Sequence, residues 1–202
     1  SDLQILLNGK LFERVMVLHE KRNDLDLDAE SLRLVEKYYT DFVRAGAKLS
    51  TEEKERLKSI NSEMAVLQTT FSQNVLKEVN ALAVVVNSIE ELDGLSNAAI
   101  EAAANEGKSR ELEGKYVITL RNTSGQPPMS SLTNRALRER IHKTSLSRGS
   151  RGGDFDNRET LAKVIKLRAE RSQLMGYANH AAYSLENQTA QTTDAVNKRL
   201  SG

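Results

Sequence analysis

His19 and Glu20 are followed by Asn23 at the place where a second imidazole would complete the pattern H-E-x-x-H. That pattern works because two histidines four apart share one helical face, bind zinc together, and set the glutamate beside the metal-bound water as general base. Asparagine is a poor zinc ligand, and no later Glu or His is placed to replace it. The pair therefore reads as a solvated His-Glu at the end of a first helix. The other two histidines, His142 in a basic helix and His180 just after a helix cap, have no companion at metal-ligand spacing. There is no cysteine, so thiolate metal sites and cysteine nucleophiles are excluded. No G-x-S-x-G elbow occurs. Gly149, Gly152 and Gly153 lie between two expected helices and lack the G-K-[ST] ending of a phosphate loop. The acidic pairs Glu52-Glu53 and Glu90-Glu91 fall in first helical turns, where they complement the helix dipole. The sequence thus assigns no catalytic residue, no metal ligand and no substrate-binding residue.

The densest charge is cationic: Arg135, Arg138, Arg140, Lys143, Arg148 and Arg151, opposed only by Glu139. It reads first as a solvated or inter-domain face. Peptide-carboxylate binding in a larger enzyme, or another anionic partner such as RNA, are the alternatives. With aromatic residues at 4%, base-stacking side chains are scarce. The net charge of +1 gives no general affinity for nucleic acid or for a membrane surface.

The expected frame is mostly α, antiparallel helices with one small two-stranded β ribbon. Leu7, Leu11, Val15 and Leu18, widened by Phe12 and Met16, mark a helix from Leu3 to Arg22. Asp28 caps a second, buried along Leu32, Val35, Tyr39 and Phe42 and ended by Gly46; Tyr38 and Tyr39 fall at its rim and core. Ser50 to Glu53 is a capping box opening a long third helix with Leu57, Ile60, Met64, Leu67, Phe71 and Val75 inward, reaching Val79. Ala81–Val86 and Lys115–Leu120 read as strands, the second bounded by the turn Asn122 to Gly125. Between them come a capping box at Ser88–Glu91 and an alanine-rich helix from Ser96 closed by Gly107. After Pro127 and Pro128, Thr133 or Asn134 caps a helix to Ser147. Asp156 with Glu159 forms a further capping box, for a helix marked by Leu161, Val164, Ile165, Arg168 and Met175. Asn179 and then Thr192 or Thr193 begin two short ones. The expected divisions are 1–80, long helices; 81–125, ribbon plus helix; and 126–202, helices. The opening Ser1-Asp2-Leu3 has no basic leader, and the last helical pattern is unfinished, as if the chain were cut from a longer one.

Four stretches stand out together: Tyr38–Ser50 (Y-Y-T-D-F-V-R-A-G-A-K-L-S), Asn61–Val75 (N-S-E-M-A-V-L-Q-T-T-F-S-Q-N-V), Gly114–Leu132 (G-K-Y-V-I-T-L-R-N-T-S-G-Q-P-P-M-S-S-L) and Leu167–Tyr183 (L-R-A-E-R-S-Q-L-M-G-Y-A-N-H-A-A-Y). In this order they resemble the amino-terminal half of the thimet oligopeptidase (M3) family of zinc metallopeptidases. F-V-R-A-G-A-K-L and G-K-Y-V-I-T-L-x-N-T are most similar to its bacterial peptidyl-dipeptidase (dipeptidyl carboxypeptidase) branch. The resemblance implies a helical, clam-like enzyme that takes dipeptides from the carboxyl termini of short peptides. Its zinc would sit in the carboxyl-terminal catalytic half, with none bound by this chain. This chain would be a wall of the channel, inactive alone, working in the cytoplasm, or in the periplasm if a leader precedes it. A free-standing helical peptide- or protein-binding module is the competing expectation.

Overall fold

The computed structural model describes residues 5–6, 8–121 and 126–202, with Asn80 described by its backbone. The expected start at Leu3, Leu7 and the turn Asn122 to Gly125 lie outside them. In chain order the elements are α1 (Gly9–Glu20), α2 (Ala29–Arg44), α3 (Thr51–Ala81), β1 (Ala83–Val86), a 3₁₀ turn (Ile89–Leu92), α4 (Asn97–Ser109), β2 (Tyr116–Thr119), α5 (Pro128–Ser131), α6 (Arg135–Leu146), α7 (Arg158–Leu174), α8 (His180–Leu185) and α9 (Thr193–Ser201). The mostly helical fold with one antiparallel ribbon is thereby borne out. The chain forms two compact units, residues 1–65 with 165–202, and residues 66–164.

In the first unit, α1 and α2 run antiparallel. Phe12 meets Phe42, His19 meets Tyr39 and Arg22 faces Glu36, so numbers fall on α2 as they rise on α1. Asp28 caps α2 through the Ser31 amide at 2.7 Å, and Gly46, at φ +94°, takes the left-handed turn beyond its end. The capping box that opens α3 is complete: the Ser50 hydroxyl accepts from the Glu53 amide, and the Glu53 carboxylate from the Ser50 amide. Leu57, Ile60 and Met64 then point inward. Arg56 of α3 holds Glu170 of α7 in a two-pronged pair at 2.6 Å, the geometry that suits guanidinium and carboxylate.

In the second unit, β1 and β2 pair in the register Ala83↔Thr119 to Val86↔Tyr116. Val84, Val86, Ile118 and Leu120 build the core with Leu82, Leu92, Leu132 and the buried side of α6, Leu137 and Ile141. An isolated ribbon is marginal, and this helix supplies its cover. Asn134 caps α6 by accepting from the Leu137 amide.

Several expectations are corrected. On α1 the buried side chain is Phe12, whereas Leu11 and Leu18 are exposed. Two apolar stripes fit the helical period there, and the one carrying the larger ring is buried. On α7, Leu161 and Ile165 are exposed while Val164 and Leu167 are buried. Ser88 makes no cap with its side chain; Glu91 instead accepts from the Asn87 amide. α7 begins at Arg158, one residue later than the Asp156–Glu159 box implies, and Asp156 accepts from the Gly152 and Arg158 amides.

Candidate functional site

The helix bearing His19 ends at Glu20, so Asn23 falls in the following turn and the fourth position leaves the helical face. The His19 ring stacks on Tyr39, with centroids 3.7 Å apart and planes within 6°. Burial, then the Arg22 charge, holds its pKa below the usual 6.5, with Lys48 adding and Glu36 and Glu20 opposing. His180 lies 3.3 Å from the Ser184 hydroxyl, and its Nδ1 is buried without a partner. His142 is exposed on α6, beside Arg135 and Arg138. Among the described residues, no three His, Cys, Asp or Glu side chains converge as metal ligands do. The donor set that zinc needs is not formed by these residues.

The first unit holds a polar knot that the sequence reading did not single out. Arg44 donates to the Tyr183 carbonyl at 2.8 Å and to Glu186 at 2.6 Å. Tyr177 donates its hydroxyl to the same Glu186 oxygen at 2.5 Å. The Tyr183 ring lies against two guanidiniums, those of Arg44 and Arg171, at 4.4 and 5.1 Å, an arrangement stabilised by the ring quadrupole. A cleft of about 730 Å³ adjoins it, lined by His19, Arg33, Lys37, Asp41, Glu186 and Gln188 among others. The knot joins residues 139 positions apart, so no local pattern announces it. Arg44 lies in the quoted stretch Tyr38–Ser50, and Arg171, Tyr177 and Tyr183 lie in Leu167–Tyr183, with Glu186 just beyond it.

Burial, reinforced by the bond to Glu186, pushes the Tyr177 phenol from 10.0 up to about 12. A raised pKa means that the fold favours the neutral phenol. Its contribution to stability is complete below pH 10.0 and is lost as pH rises through about 12. Tyr177→Phe is expected to remove the last component of the tyrosinate absorbance in an alkaline titration. An unchanged curve near pH 12 would contradict this.

In the second unit the structure divides the cationic cluster. Arg138 donates to the Leu132 and Thr133 carbonyls at 2.5 and 3.0 Å, and Arg148 to the Leu120 carbonyl at 3.2 Å; both serve the local fold. Arg135 faces a separate hollow with Met129 and His142. The remaining three, Arg140, Lys143 and Arg151, line a groove of about 730 Å³ along β1, with Ala83, Val85 and Phe155 among its other walls. Arg140 donates to the Val85 carbonyl at 2.6 Å and pairs with Glu91 at 3.2 Å. Lys143 pairs with Glu139 on its own helix. Arg151 is exposed and has no ion-pair partner among the described residues. Glu78, also on the groove, is 6% exposed and accepts from the Gly149 amide, which ties the glycine loop to α3. The single face expected from the sequence is thus a three-cation groove, two arginines committed to local carbonyls, and Arg135 on a separate hollow.

Comparison with known proteins adds a second line. Residues 128–201 match the model of peptidase family M3. The chain is 37% identical over 192 residues to the dipeptidyl carboxypeptidase of Escherichia coli (strain K12), covering 95% of this chain and 28% of that protein. It is 36% identical over 192 residues to the dipeptidyl carboxypeptidase of Salmonella typhimurium, again over 95% of this chain and 28% of the relative. With the organellar oligopeptidase A of Arabidopsis thaliana the identity is 31%, over 96% of this chain and 25% of the relative. The chain therefore spans about a quarter of the length of these relatives. Among the described residues no helix is long and apolar enough to cross a membrane.

Proposed function

We propose that this chain, a member of peptidase family M3 by its sequence, is a non-catalytic, amino-terminal part of a longer zinc metallopeptidase that removes dipeptides from the carboxyl termini of short peptides. The observation that carries this reading is the asymmetry of the match: 95% of the chain aligns with dipeptidyl carboxypeptidases of which it spans 28%. The machinery for hydrolysis then belongs to the rest of the polypeptide, its carboxyl-terminal catalytic half. Zinc, held in that half by an H-E-x-x-H helix, would supply the Lewis acid and the activated water that peptide hydrolysis needs. These 202 residues supply helical wall, and their broken His19-Glu20-Asn23 pattern agrees with that division of labour. Apolar side chains left in the open, Leu18 and Leu34 in one unit and Leu76 and Leu146 in the other, are 47%, 50%, 63% and 71% exposed. They are natural places for the rest of such a polypeptide to pack. A cytoplasmic location belongs to the same reading, supported by the lack of cysteine.

The test is peptidase activity with added zinc, of this chain and of its longer natural polypeptide side by side. Release of dipeptides from an amino-blocked peptide by the longer protein alone is expected. If this chain hydrolyses the peptide, or if the longer protein neither holds zinc nor cleaves, the reading fails. A second reading, a free-standing module that binds peptide or protein, is favoured by one observation, the cationic groove along β1. The division of the arginines counts against an RNA-binding surface, because Arg138 and Arg148 are committed to backbone carbonyls.

A further inference from the structure

We propose that the groove lined by Arg140, Lys143 and Arg151 binds an extended acidic peptide, which adds as a third strand to the open edge of β1. The proposal rests on the groove alone and stands whether or not the chain belongs to a peptidase. Its first ground is the ribbon. Among the described residues β1 pairs with β2 only, so its other edge presents backbone amides and carbonyls that a further strand can use. In an antiparallel ladder, both polar groups of a residue point to the same side, and the side alternates along the strand. The Val85 carbonyl meets Arg140 on the open side. The Val85 amide and both polar groups of Ala83 therefore face the groove as well, and Ala83 and Val85 do line it.

The second ground is the character of the walls. The strand edge supplies no side-chain selectivity, but three cations stand around it, and Arg151 has no ion-pair partner among the described residues. A strand places every second side chain on the same face, about 6.7 Å apart. A peptide with glutamate at alternate positions would thus present successive carboxylates to Lys143 and Arg151. Its intervening apolar residues would meet Phe155 and Val85 on the groove walls. Of the lining residues the one carboxylate, Glu78, is 6% exposed and already accepts from the Gly149 amide, while Glu91 and Glu139 are held by Arg140 and Lys143, which leaves Arg151 as the open charge. A nucleic acid fits less well, since Phe155 is the one aromatic side chain lining the groove and stacking surfaces are what single strands need. Because Arg140 occupies the Val85 carbonyl, the added strand is short, and its affinity rests on a few backbone bonds and exposed charge pairs.

The experiment is fluorescence anisotropy of a labelled peptide alternating glutamate with valine, titrated at low salt with this chain. Saturable binding is expected. Two further peptides carry N-methyl groups on alternate backbone amides, one in each phase. Only the phase whose amides face the strand edge should lose binding. Lys143→Gln with Arg151→Gln should weaken association about tenfold, as for two exposed charge pairs. Both side chains are exposed, so circular dichroism of the double variant should be unchanged. Absence of binding overturns the proposal. So does equal binding of the two methylated phases, which would show attraction by charge without strand pairing, or equal binding of a single-stranded oligonucleotide, which would show a general anion-binding surface.

Discussion

Gly107→Ala is expected to destabilise the second unit by roughly 2 kcal/mol, through a clash of about 3 kcal/mol partly offset by about 1 kcal/mol of helix propensity regained. The glycine lies inside α4, with ordinary helical backbone, so its value is not conformational freedom. A methyl group there would stand 2.2 Å from the Lys115 carbonyl oxygen and 3.1 Å from its carbon. Both are backbone atoms at the mouth of β2. They cannot swing aside as a side chain could, because Gly107 itself accepts from the Arg110 and Leu112 amides and Lys115 donates to Leu112. The whole turn from helix to strand is tied to this point. In urea titration the midpoint should fall with little change in slope, and Gly107→Ser should fall further. A midpoint at or above that of the parent would mean that the helix and the strand do not approach each other so closely.

The same glycine shows what was legible in the sequence and what was not. Gly107 was expected to close α4, as glycine after a helix commonly does. The helix continues to Ser109, and the left-handed residue beyond it is Glu111, at φ 61°. A glycine required by close approach and one required by backbone geometry look alike in a sequence; only the distant Lys115 carbonyl distinguishes them. Features set within a few residues were legible. Asp28, Ser50, Asn134 and Asn179 cap where expected, and the two strands pair as a ribbon. Helix faces were legible only where one stripe was plainly stronger. Leu57, Ile60 and Met64 on α3 are buried as read, but on α7 the choice among Leu161, Val164, Ile165 and Leu167 depended on neighbours far along the chain.

Candidate sites were less legible still, for the same reason. The arginines of residues 135–151 are close in sequence, yet their duties depend on carbonyls contributed by Val85, Leu120 and Leu132. The Arg44–Tyr177–Glu186 knot joins segments that sequence proximity does not connect. What the sequence did carry was the resemblance. Two of its motifs, F-V-R-A-G-A-K-L and the run ending at Tyr183, contribute Arg44 and Tyr177 to that knot, and Glu186 follows just beyond the second. Motifs that carry a family resemblance can therefore mark a packing constraint as well as a chemical one.

The largest loss is expected from Ile141→Ala, about 3 kcal/mol, with Ile141→Val costing about 1 kcal/mol. Ile141 is fully buried, and its cluster includes Leu82, Val84, Leu120 and Leu137. Truncation removes the transfer energy of the lost carbons and leaves a void that a ribbon joined at one register can collapse around only in part. The position also matters for what α6 carries. Leu137 and Ile141 face the core, while Arg140, Lys143 and Thr144 line the groove. The core contact is therefore what sets the height of those cations against the edge of β1. Loss of packing at Ile141 should thus lower the urea midpoint in proportion to the volume removed. It should also lengthen the 2.6 Å bond from Arg140 to the Val85 carbonyl. Faster exchange of the ribbon amides in Ile141→Ala than in Ile141→Val would show that coupling. Equal exchange in the two variants would mean that the ribbon and the groove-bearing helix are held in place independently.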